Sequence, residues 1–121
     1  MRDDVLARVQ TVIAAAAAKK AFQVLALEVG ERTSIADVFV ICSVGSTRQA
    51  QAVADEVERQ LAAAGDKPLS VEGYAQGSWV LLDYGDLVLH VFLEERREFY
   101  ALERLWGDAP DITARLAGAR R

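Results

Sequence analysis

Leu6, Val9, Ile13, Ala16 and Ala17 recur at intervals of three and four, so residues 3–20 read as one amphipathic helix. Asp3 and Asp4 stand where the partial positive charge of a helix start favours acid, and Lys19 and Lys20 fall in the expected last turn. The period then changes. Val24 to Val29 is a strand-like run ended by Gly30, and Asp37 to Val44 is almost wholly apolar, as a strand covered on both faces should be. The two are expected to neighbour each other in one sheet. Ser46 with Gln49 three positions on forms a capping-box pattern, and Ala50, Val53, Ala54, Val57 and Leu61 follow on one face, predicting a second helix to about Ala64. Gly65 suits a left-handed cap, Pro68 forbids continuation, and Leu69 to Glu72 predicts a short strand.

Trp79 to Tyr84 and Leu87 to Leu93 are apolar runs parted only by Gly85-Asp86, a pairing that predicts a β-hairpin with a two-residue turn. Trp79 then opposes Phe92, and Leu81 opposes His90. Val80, Leu82, Tyr84, Leu87, Leu89 and Val91 share one face as core. The other face carries Trp79, Leu81, Asp83, Val88, His90 and Phe92, a mixture that calls for a polar-tolerant cover or a partner. Phe99, Leu102, Leu105 and Trp106 predict a third helix over Glu94 to Trp106, stopped by Gly107. Residues 108–121 lack a firm apolar face and read as a flexible tail, leaving 1–107 as one domain. The order α-β-β-α-β-β-β-α predicts an α/β fold with helices packed on a mixed sheet of about five strands.

A chain of 121 residues with 52% apolar and 26% charged positions fits a single domain that folds without staples. Its net charge of −4 has the wrong sign for a main partner made of phosphate backbone, so direct nucleic-acid binding is not expected. Cys42 is the only cysteine and lies in an apolar run, which suits a small buried hydrophobe in a reducing compartment better than a nucleophile. With His90 the only histidine, no multi-histidine metal site can form, and neither metal nor cofactor is expected. The acidic start does not read as a targeting signal. The Ala14 to Ala18 run, interrupted by Lys19-Lys20, falls far short of the ~20 apolar residues a bilayer demands. A soluble, cytoplasmic protein without membrane contact is expected.

Chemistry is harder to find. Gly45-Ser46 at a strand-to-helix junction lacks a Walker lysine and is explained by a helix cap. Nucleotidyltransferases place Gly-Ser similarly but need two carboxylates alternating on a strand; Asp55 and Glu56 are adjacent in a helix and diverge by about 100°. His90 with Asp83 or Asp86 could pair as base and orienter, yet no Ser or Cys stands beside them, so no catalytic residue is assigned. From Asp83 to Asp108 seven acidic residues face three basic ones, a balance that would steer the surface toward a basic protein.

Asp37-Val38-Phe39-Val40-Ile41-Cys42 leading to Ser46-Thr47-Arg48-Gln49, then Val71-Glu72-Gly73, Trp79-Val80-Leu81-Leu82-Asp83-Tyr84-Gly85-Asp86, His90-Val91-Phe92, and Arg97-Glu98-Phe99-Tyr100-Ala101-Leu102-Glu103-Arg104-Leu105-Trp106 follow one another along the chain. In this order they closely resemble the Iojap-like family, the ribosomal silencing factors, over residues 5–107. Ala101 stands where that family usually carries an acid. The resemblance implies a non-enzymatic, homodimeric factor on a nucleotidyltransferase-like scaffold that lacks catalytic carboxylates. Such a factor binds the large ribosomal subunit through its fourteenth protein, blocks joining of the small subunit, and represses translation when nutrients are scarce. Trp79 and Leu81, with Asp83, Asp86, His90 and Glu94 around them, are the expected docking residues, Trp79 as aromatic anchor. Two other readings are a nucleotide-handling enzyme on the same scaffold and a homodimeric adaptor for another basic protein.

Overall fold

Helix α1 (Asp3–Ala18) sets one face of its turns, with Val5, Val9, Val12, Ala15 and Ala16 fully buried, against the sheet. The computed structural model describes residues 3–31, 33, 36–95 and 109–113 of the chain. The α1 helix stops short of the two lysines because Lys20 takes a left-handed φ of 67°. Ala21 and Lys20 then donate their N–H groups to the carbonyls of Ala16 and Ala17, closing the helix end.

Five strands follow the predicted order: β1 (Phe22–Glu28), β2 (Val38–Val44), then, after helix α2 (Thr47–Ala63), β3 (Ser70–Glu72), β4 (Trp79–Asp83) and β5 (Leu87–Leu93). In space they lie β1-β2-β5-β4-β3, with β2 and β5 parallel at the centre and every other pair antiparallel. The sheet is therefore mixed, and β1 and β2 are neighbours as expected. β2 and the first six residues of β5 are buried, which explains why both runs are apolar but for Ser43 and His90.

The hairpin register is the predicted one, Trp79 opposite Phe92 and Leu81 opposite His90. It is fixed by the turn: Gly85 adopts a φ of 88°, open to glycine at no steric cost, and the Tyr84 N–H donates to the Leu87 carbonyl. Ser46 caps α2 by accepting the Gln49 N–H, while the Gln49 side chain accepts from Gly45 and donates to the Lys19 and Lys20 carbonyls. One glutamine thus ties the start of α2 to the end of α1.

Both helices cover the same face. Ala26, Val38, Val40, Cys42, Val80, Leu82, Leu87, Leu89 and Val91 meet them in one core cluster, so Cys42 is a buried hydrophobe. The opposite face groups Leu27, Val29, Phe39, Ile41, Val88, Phe92 and Ala109, with Leu25, Trp79 and Leu81 packed beside them. The predicted third helix lies outside the described residues except for Glu94 and Glu95, which are helical.

Residues 109–113 correct the expectation of a tail loose from 108 onward; 114–121 lie outside the described residues. The Glu28 N–H donates to the Pro110 carbonyl, Ile112 donates to the Ala26 carbonyl, and the Thr113 hydroxyl accepts from Ala26. Ile112 joins the helix-side core and Ala109 the opposite cluster. Backbone bonds along the outer edge of β1, rather than an apolar stripe, hold this segment. Among the described residues no helix is long and apolar enough to cross a membrane.

Candidate docking surface

Alternation along β4 and β5 sends Trp79, Leu81, Asp83, Val88, His90 and Phe92 to the face without helices. Exposure then divides them by strand. On β5, Val88, His90 and Phe92 are buried, whereas Trp79, Leu81 and Asp83 on β4 are partly open. The register of β3 extends this open strip, because Glu72 opposes Leu81 and Ser70 opposes Asp83. Directly opposed residues share a face, and both Ser70 and Glu72 are exposed. The strip has an apolar middle, Trp79 and Leu81, with Asp83 and Glu72 at its rim. Its two β3 members were absent from the predicted set, although polar Ser70 and Glu72 flanking apolar Val71 is the alternation that marks them.

The Trp79 indole is held by Phe92 and His90. Its ring stacks on Phe92 at 5.1 Å between centroids and 30° between planes. Its Nε1–H donates to His90 Nδ1 at 3.2 Å. Behind it, the β3–β4 loop turns at Gly73 with a φ of 77°, where a side chain would bring its Cβ to 2.1 Å from the Trp79 carbonyl oxygen. Only glycine lets the loop close on β4 there.

His90 is 5% exposed and sits edge-on to Phe39 with ring centroids 5.0 Å apart. Burial lowers its pKa to about 4, so the ring is neutral near pH 7. His90, expected among the contact residues, is instead a buried neutral ring behind the strip. Asp83 stays on the strip, its carboxylate accepting the Gly85 N–H at 2.8 Å.

Asp86 does not belong to this surface. Asp86 pairs with Arg8 of α1 at 2.7 Å, and the same guanidinium reaches Asp66 at 2.8 Å, so the carboxylate is spent within the fold, clamping α1 to the hairpin turn. Glu94 comes two residues after Phe92, the residue opposite Trp79, so it stands beside the Trp79 end of the strip, where it lines a groove with Ser46 and Thr47. Of the helix acids weighed for metal chemistry, Asp55 accepts from the Tyr74 hydroxyl, and Glu56 accepts from Arg59 and Gln60. Among the described residues no group of three His, Cys, Asp or Glu could hold a metal ion.

A mixed five-stranded sheet with both helices on one face and an aromatic, acid-rimmed strip on the other defines a small α/β domain, and solved structures share it. The X-ray structure of a protein from Chromobacterium violaceum superposes with a TM-score of 0.81 at 33% identity, covering 88% of each chain. The chain belongs to the ribosomal silencing factor family, whose description, "Ribosomal silencing factor during starvation", matches residues 2–121. It is similar to "Ribosomal silencing factor RsfS" of Halalkalibacterium halodurans, 47% identical over 94 residues that span 78% of this chain and 80% of the relative. The protein of that name from Bacillus subtilis is 45% identical over 100 residues, 81% and 85% of the two chains. The family is one of regulatory proteins and not of known enzymes. Its match continues past Gly107, in keeping with the bonds that residues 109–113 make to β1.

Proposed function

We propose that this protein docks on the large ribosomal subunit, through that subunit's fourteenth protein, and prevents the small subunit from joining, so that translation falls when nutrients are scarce. The family supports the setting. The observation that carries the surface is the open strip on β4 and β3, where an aromatic and a leucine are flanked by Glu72 and Asp83 on a protein of net charge −4. Such a surface suits a basic ribosomal protein, with Trp79 and Leu81 desolvated at the centre and Asp83 and Glu72 meeting cations at the rim. Inhibition by this route needs no bond making, no cofactor and no metal. The factor acts in the cytoplasm, as a homodimer, by occupying volume that the small subunit also requires.

Co-sedimentation with separated ribosomal subunits tests this reading. Binding to the large subunit alone, relieved as small subunit is added in excess, is the expected result, because mutually exclusive partners compete by mass action. Trp79→Ala should weaken that binding about thirtyfold, equivalent to about 2 kcal/mol, as loss of a central aromatic does. Retention by small subunits, or a folded Trp79→Ala that binds unchanged, would overturn the assignment.

A further inference from the structure

We propose that His90 is a positioning residue for docking: it fixes the Trp79 indole against Phe92 before the partner arrives, so the anchor is presented in one orientation. This rests on β4 being the docking strip. An indole N–H can only donate, so the bond from Trp79 Nε1 to His90 Nδ1 leaves Nδ1 without a proton and puts the ring's one proton on Nε2. Nε2 is buried and has no hydrogen-bond partner among the described residues. A donor in that state opposes folding, and Phe or Leu would fill the layer between Phe39 and Phe92 without it.

The histidine therefore supplies the fold with little that an apolar ring would not. What it adds is an acceptor for the Trp79 N–H. The indole has two rotatable bonds, and the stack on Phe92 together with the bond to His90 fixes both. A side chain already ordered in the free protein loses less freedom on binding, an effect of about three- to tenfold in dissociation constant for one large side chain. His90 is thus absent from the contact surface while acting on it through Trp79.

The test compares wild type, His90→Phe and His90→Gln, each with Trp79 intact and as Trp79→Phe, by urea unfolding and by affinity for isolated large subunits. His90→Phe is expected to unfold at the same or higher urea concentration yet bind about three- to tenfold more weakly. His90→Gln, whose amide oxygen can accept the indole proton, should regain part of that loss. With Trp79→Phe, His90→Phe should change affinity no further, because the coupled pair is already broken. Nitrogen-15 NMR of the wild-type protein provides a check that needs no variant: His90 should carry its proton on Nε2. A proton on Nδ1, unchanged affinity in a folded His90→Phe, or an equal loss in the Trp79→Phe background would each overturn the proposal. Wild type that fails to bind large subunits would sink this proposal and the docking reading together; wild type that binds, with His90→Phe binding equally, would sink this proposal alone.

Discussion

Leu89 and His90 are consecutive on β5, both buried, and they enter two different interiors. Leu89 joins valines, alanines and leucines beneath the two helices. His90 joins Phe39, Trp79 and Phe92, whose ring centroids lie 5.0 to 6.2 Å from its own and one of which it binds through a directional bond. The helix side is filled by volume and tolerates exchange among aliphatic groups of similar size. The opposite side depends on angle and on a single acceptor atom. Under the proposed docking, stability and recognition fall on opposite faces of one strand.

The sharpest way to break that division is Leu89→Ala. It removes a fully buried side chain from the helix-side core and should lower unfolding free energy by about 3 kcal/mol, read from urea melts, while the folded fraction keeps its affinity for large subunits. A comparable loss of affinity would show the faces to be coupled. Next comes acid. Burial lowers the His90 pKa from about 6.5 to about 4, so between those values the unfolded chain takes up a proton that the folded chain refuses. The contribution is present in full above pH 6.5 and is lost as pH falls toward 4. Relative to His90→Phe, wild type should lose about 2–3 kcal/mol between pH 7 and pH 4.5, and parallel melts of the two proteins would expose a flat difference if His90 titrates normally.

The smallest effect is expected at Tyr84, whose buried hydroxyl on the helix side has no partner among the described residues and whose pKa is pushed up to about 12, first by burial and then by Glu58 and Asp66. Tyr84→Phe should leave stability unchanged or raise it by up to about 1 kcal/mol. A clear loss in thermal melts would mean that the hydroxyl is bonded in solution.

Both faces were legible in the amino-acid pattern where local rules decide. The two-residue turn at Gly85 sets the hairpin register, and register sets which side each residue takes. What escaped depends on distance along the chain. Asp86 looked like a surface acid, but its cation, Arg8, lies 78 residues away, and no spacing rule connects them. Glu72 meets Leu81 only across the β3–β4 loop, whose closure turns on Gly73. Lys20 in a left-handed conformation ends α1 where composition favoured another turn. The burial of His90 was equally hidden, since a mixed face reads the same whether it is covered or open. Residues 109–113 bind through main-chain groups, which every sequence possesses.

That last segment has a geometric consequence for how copies of the chain can meet. A sheet with two bare edges can add strands at both ends and grow into a fibre. Here the 109–113 segment lies along the outer edge of β1, and among the described residues β3 has a strand on one side only. Among the described residues, one edge is occupied and one is open. A body with a single open edge can join another like itself once, about a two-fold axis, and then presents no further edge, so assembly by strand addition is self-terminating at two.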